Sequence, residues 1–168
     1  AALSEVLKYG LVYDAEFFMW LETNWRRVVE KEPDIFQQMI QRCVDIKLMI
    51  VEQDEKDHGI RQILNFGHTL GHALEQCSDY ELLHGEAVAA GILWALSLSE
   101  KHCGLDRSIR PRVKSLLSNA PSYDLGDESL WQAMARDKKH RHKFVLILLE
   151  QLGRAKLVEF NALADLTA

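Results

Sequence analysis

The sequence predicts a mainly α fold, a multi-helical domain with one small β-hairpin near its C-terminus. Three observations carry that reading. Apolar residues recur at spacings of three and four from Ala1 to about Met134, the period of helices packed on one face. Only residues 144–149 and 155–160 read as strands, and Gly153 between them suits a single hairpin. The 9 Gly and 3 Pro are too few for a barrel or sandwich made of many short strands and tight turns.

The elements follow in order. Residues 3–9 form a short helix closed by Gly10. A second helix starts at Asp14, whose carboxylate can cap it, and reaches about Glu30, with Phe17, Phe18, Trp20, Leu21, Trp25, Val28 and Val29 facing inward. Pro33 suits the first turn of a third helix, whose buried stripe is Ile35, Met39, Ile40, Val44, Ile46 and Ile50. The polar stretch 52–59 reads as a loop. Short helices over 61–64 and 68–77 precede a longer one from about Gly85 to His102, ended by Gly104. Further helices fit 110–118 and 128–136, ahead of the hairpin.

Composition narrows the function classes. With 168 residues, 48% hydrophobic and 27% charged, the chain has the makeup of a globular protein and can bury roughly 70% of its unfolded surface. The apolar run 87–98 is shorter than the ~20 residues needed to cross a bilayer, and the first ten residues lack a signal-peptide pattern. The expectation is a soluble, cytoplasmic protein with no membrane partner. Cys43, Cys77 and Cys103 are odd in number and far apart, so they read as buried or half-buried thiols rather than a disulfide framework. The net charge of −5 is uneven, since the basic excess gathers in residues 136–143. An acidic chain without aromatic-interleaved basic surface argues against nucleic acid. That run is then either a solvated face or a cradle for a small anion.

Four features can carry chemistry. His68, His72 and Glu75 lie at i, i+4 and i+7, on one helix face, and two histidines one turn apart can chelate a metal. An isolated pair of this spacing is more often two polar surface residues. Gly67 and Gly71 weaken the same helix by roughly 1 kcal/mol each relative to Ala, which suggests that close backbone approach is needed there. His84 opens the long helix, where it can reach into a cleft and supply a second nitrogen beside His68. The Ala87, Gly91, Ala95 ridge that follows reads as close helix packing. Glu5 and Lys8 form an ion pair at i, i+3 worth roughly 0.2–0.5 kcal/mol, and spacing alone does not make Glu5 a ligand. Lys47, Arg61, Asn65, Lys138 and Lys139 are either scattered surface groups or parts of one anion site.

These blocks together resemble 3-dehydroquinate synthase. The resemblance rests on EVLKYG at 5–10, DE at 54–55, GIRQILNFGHTLGHALE at 59–75, LHGEAVAAG at 83–91 and DKK at 137–139 followed by FVL at 144–146. They occur in the family's order and near its spacing, over nearly the whole chain. The match is to the C-terminal, metal- and substrate-binding half; the family's N-terminal NAD-binding half has no counterpart here.

The resemblance implies zinc, or another divalent metal, held by Glu5, His68 and His84, an open set of one carboxylate and two imidazoles. It implies His72 and Lys8 as the catalytic residues, with His72 serving the substrate as a polar or proton-transferring group. Lys47, Arg61 and Asn65 match substrate-contacting positions, as do one or both of Lys138 and Lys139, although the loop after them is short and lacks the family's glycine. The implied substrate is a phosphorylated sugar acid, 3-deoxy-D-arabino-heptulosonate 7-phosphate, converted to 3-dehydroquinate and phosphate in the shikimate pathway. NAD is expected to bind mainly to the absent half, the parent enzyme to be a homodimer, and this chain alone to be inactive. A sister sugar-phosphate cyclase resembling 2-deoxy-scyllo-inosose synthase, or a non-catalytic metal-binding helical module, are the competing expectations.

Overall fold

The computed structural model describes residues 2–124, 126–136, 144–161 and 166. Its helices are α1 (Leu3–Val12), α2 (Ala15–Val29), α3 (Pro33–Gln53), a 3-10 turn (Ile60–Asn65), α4 (His68–Cys77), α5 (His84–His102), α6 (Ile109–Leu116) and α7 (Glu128–Arg136). Two antiparallel strands, β1 (Phe144–Gln151) and β2 (Arg154–Phe160), complete the mainly α fold. No helix among the described residues is long and apolar enough to cross a membrane.

The central element is α5. From Gly85 to Ser99 nearly every residue is buried, which fits a helix apolar around most of its circumference. It lies against α4 through glycine. A Cβ on Gly91 would sit 1.8 Å from the Gly67 carbonyl oxygen, so no other residue fits without parting the two helices. Gly67 itself has φ +80°, a left-handed conformation that lets the chain turn directly into α4. The hairpin is fastened to α5 further along: the buried Ser99 Oγ accepts from the Leu149 N–H at 2.9 Å and donates to the Ala95 carbonyl at 2.6 Å. Its turn reaches α1, where the Gly153 N–H donates to the Leu11 carbonyl at 2.9 Å.

Each of the three amino-terminal helices departs from expectation in one respect. Gly10 does not close α1, which continues to Val12. A Cβ on Gly10 would lie 2.9 Å from the Phe18 Cα, so this glycine serves a helix crossing rather than a helix end. Asp14 does cap α2, accepting from the Phe17 N–H at 2.9 Å. In α3 the buried stripe is Ile35, Met39, Ile46 and Ile50. Ile40 and Val44 are 47% and 46% exposed, because at ~100° per residue they fall on the side opposite that stripe. Val29 is exposed and Trp20 and Trp25 are only half-buried, so α2 buries a narrower face than its sequence suggests. Cys77 is exposed, unlike the half-buried Cys43 and Cys103, since it ends α4 beyond the core.

Candidate functional site

The site forms where the starts of α4 and α5 meet α1. Gly67 and Gly91 bring His68, the first residue of α4, close to His84, the first residue of α5, with ring centroids 5.5 Å apart. The buried Ser4 hydroxyl donates to the Gly85 carbonyl at 2.7 Å and fastens α1 beside His84. Glu5, the next residue, thereby reaches the histidines. Donor atoms of Glu5, His68 and His84 all lie within 4.8 Å of one another.

The two carboxylate oxygens of Glu5 have different surroundings. Oε2 accepts from the buried Lys8 ammonium at 2.7 Å, the ion pair that the i, i+3 spacing suggests. Oε1 is buried and has no hydrogen-bond partner among the described residues. It lies 3.5 Å from Nε2 of His68. Burial first, and then the positive charge of Lys8, push the His68 pKa down to about 4, against the opposing pull of Glu5. The ring is therefore neutral at pH 7. Its Nδ1 lies 3.2 Å from the Phe66 carbonyl and donates to it, which leaves Nε2 as a lone pair. Two acceptors thus face each other with no proton between them, an arrangement that a cation would resolve. Zinc bonds of ~2.0–2.2 Å at a tetrahedral angle hold neighbouring donors about 3.4 Å apart, close to the spacing here. The donor set and its geometry fit such an ion.

His84 is oriented from behind. Its Nδ1 lies 3.0 Å from Oε1 of Glu75, near the end of α4. His72 stands one turn along α4, its ring centroid 5.4 Å from that of His68 and 6.2 Å from that of His84. Donor atoms of His72, Glu75 and His84 form a second group within 4.8 Å. The second group differs from the first in having no buried carboxylate oxygen without a partner among the described residues.

The cations are arranged more loosely. Lys8 is buried, and desolvation lowers its pKa; Glu5 opposes this and the charge of Lys47 adds to it. Lys47, exposed on α3, therefore lies within electrostatic reach of the site. Arg61 is half-buried on the 3-10 turn and donates from Nη1 to the Glu55 carbonyl at 3.1 Å, while Asn65 is exposed. Arg61, Asn65 and His72 share no hydrogen bond or ion pair among the described residues. Lys138 and Lys139 lie outside the described residues. Two supporting groups were not anticipated from sequence: the Glu75 carboxylate against His84, and Asp54. The Asp54 side chain accepts from the backbone N–H groups of His58 at 3.1 Å, Gly59 at 2.7 Å and Arg61 at 3.0 Å, and so folds the loop that carries Arg61. An aspartate followed by a short glycine-containing loop is the signal that could have found it.

Comparison with known proteins adds the family. The description of the 3-dehydroquinate synthase C-terminal domain matches residues 2–140. The 3-dehydroquinate synthase of Clostridium tetani is 39% identical over 164 residues, covering 95% of this chain and 44% of the relative. That of Dichelobacter nodosus is 42% identical over 166 residues, covering 95% and 45%. The chain spans about half the length of the curated relatives it matches. Among solved structures, 2-epi-5-epi-valiolone synthase from Streptomyces hygroscopicus subsp. jinggangensis 5008, with NAD+ and Zn2+ bound, superposes with a TM-score of 0.82 at 28% identity, covering 98% of this chain and 48% of that one. A 2-deoxy-scyllo-inosose synthase shares the fold at TM-score 0.76 and 20% identity, covering 94% and 46%.

Proposed function

Because the chain belongs to the 3-dehydroquinate synthase C-terminal family, we propose that it is the metal- and substrate-holding half of such an enzyme. The parent reaction converts 3-deoxy-D-arabino-heptulosonate 7-phosphate to 3-dehydroquinate and phosphate. The observation that carries this reading is Glu5 Oε1, without a hydrogen-bond partner among the described residues, 3.5 Å from His68 Nε2, with His84 beside them. The zinc bound by the valiolone synthase neighbour supports a metal site in this fold. Relatives at 39% and 42% identity, both named 3-dehydroquinate synthase, favour this substrate over those of sister cyclases.

Glu5, His68 and His84 would hold the metal. When bound, zinc supplies a Lewis acid that polarises substrate hydroxyls. NAD would be held mainly by residues outside this chain and would supply the hydride-transfer chemistry. The chain's own groups do the rest. Lys8 fixes Glu5 through Oε2 and presents a desolvated ammonium toward the substrate. His72 relays a proton beside the metal. Arg61 suits bidentate binding of the substrate carboxylate, for which its guanidinium must leave the Glu55 carbonyl. Lys47 supplies a point charge, Asn65 a neutral hydrogen-bonding amide, and Lys138 or Lys139 completes the anion site. A phosphorylated sugar acid needs several cations, and the sequence provides them on an otherwise acidic chain.

The test replaces the matching half of the Clostridium tetani relative with residues 1–168. Phosphate release from the heptulosonate phosphate, with 3-dehydroquinate as product, is expected from the chimera and none from residues 1–168 alone. A folded, NAD-binding chimera that ignores this substrate but cyclises a sugar phosphate lacking a carboxylate would overturn the substrate assignment.

A further inference from the structure

Behind the proposed metal ligands lies one carboxylate that the site does not use directly. Glu75 has a side chain only 13% exposed, and a carboxylate so enclosed needs a partner to offset its lost hydration. That partner is Nδ1 of His84, at 3.0 Å. The Glu75 backbone is engaged as well: its carbonyl accepts from the Tyr80 N–H at 2.8 Å and from the Ser78 hydroxyl at 3.0 Å. Asp79 and Tyr80 in this turn have φ of 49° and 63°, a left-handed pair that non-glycine residues adopt only when their surroundings impose it. The turn leading from α4 to His84 is thus tied to Glu75 by both backbone and side chain.

We infer that Glu75 is a positioning residue for His84: it holds the Nδ1–H of the imidazole and leaves Nε2 as the lone pair offered beside Glu5 and His68. The inference rests on the metal site proposed above. A neutral imidazole in water favours the proton on Nε2, which would present the wrong atom to an ion. A carboxylate against Nδ1 reverses that preference and fixes the ring plane. The Phe66 carbonyl does the same for His68 at 3.2 Å, so each histidine is held through Nδ1 by an acceptor from the α4 region. The competing role is that of a ligand in the His72, Glu75, His84 group, whose donor atoms are also within 4.8 Å. The occupancy of the oxygens separates the two roles. Among the described residues Glu5 keeps a buried oxygen, Oε1, without a hydrogen-bond partner, whereas Glu75 has no buried oxygen left so and is engaged with His84.

The test uses the full chain with Glu75→Ala and Glu75→Gln, read in two ways. Long-range nitrogen–proton NMR of the metal-free protein reports the His84 tautomer, and competition with a chromophoric chelator reports zinc affinity. Wild type is expected to show His84 protonated on Nδ1. E75A should shift the proton to Nε2 and lower zinc affinity by about 10–100-fold. E75Q, whose amide oxygen still accepts, should stay near wild type in both. An unchanged tautomer and affinity in E75A would overturn the inference. So would E75Q losing zinc as fully as E75A while Glu5→Gln binds it normally, which would make Glu75 a ligand. A wild-type chain that takes up no zinc contradicts the proposed metal site, and the tautomer comparison still decides the role of Glu75.

Discussion

The α4–α5 pair and the segment from Asp54 to Asn65 flank the same site but are built on opposite principles. The first is locked by backbone contact. Gly67 and Gly91 leave no room for a side chain, and the three donor atoms meet within 4.8 Å of one another. The second is a surface loop folded around one carboxylate, with Arg61 turned to a loop carbonyl and Asn65 exposed. The proposed metal ligands stand together, while the proposed substrate-binding groups do not. Charge explains the difference. A carboxylate and two imidazoles can share a half-enclosed corner, but converging cations repel unless an anion joins them.

The sharpest way to break this contrast is Gly91→Ala. Its methyl group would overlap the Gly67 carbonyl, so the helices must part. The expected loss is about 3 kcal/mol or more, the upper range for overpacking, read from the denaturant midpoint. A stability near that of wild type would show that the α4–α5 contact yields easily.

A smaller effect is expected at Asp54. Burial alone would raise its pKa, but the N–H groups of Gly59, His58 and Arg61 together hold it below the ordinary value of 3.8. The folded carboxyl is the stronger acid, so its contribution is complete above the unfolded value and disappears as pH falls through the folded one. Hydrogen exchange at the Gly59 and Arg61 amides should accelerate across that acid window and in Asp54→Ala at pH 7, with the α4 and α5 amides unchanged. Uniform acceleration would mean that loop and helices unfold as one unit.

The smallest effect is expected for Arg61→Gln. Arg61 makes one surface hydrogen bond through its guanidinium, so stability should stay within about 0.5 kcal/mol of wild type, and zinc affinity should not change. Substrate binding in the chimera should fall sharply. A large loss of stability would place Arg61 in the structural frame instead.

The same division separates what was legible in the sequence from what was not. His68, His84 and the glycines stand in two compact motifs at helix starts, where spacing translates directly into geometry. Glu5 was legible only through family resemblance, since Ser4 meets Gly85 across 81 residues and no local pattern encodes that contact. The pairing of Glu75 with His84 depends on a turn containing two non-glycine residues of positive φ, a conformation that their identities do not announce. Gly10 was misread because glycine serves equally at a helix end and at a helix crossing. Ile40 and Val44 were misread because apolar residues on opposite sides of α3 satisfy a three-and-four spacing together. Lys138 and Lys139 stand outside the described residues, and their part in the anion site remains a proposal.

The central claim is that Glu5, His68 and His84 form a metal site already assembled within this chain. Anomalous diffraction at the zinc edge, from crystals of residues 1–168 grown with zinc, tests it most directly. The account predicts one strong peak between Glu5 Oε1, His68 Nε2 and His84, with Glu75 still on Nδ1 of His84. A peak bounded by His72, Glu75 and His84, or none near these helix starts, would contradict it.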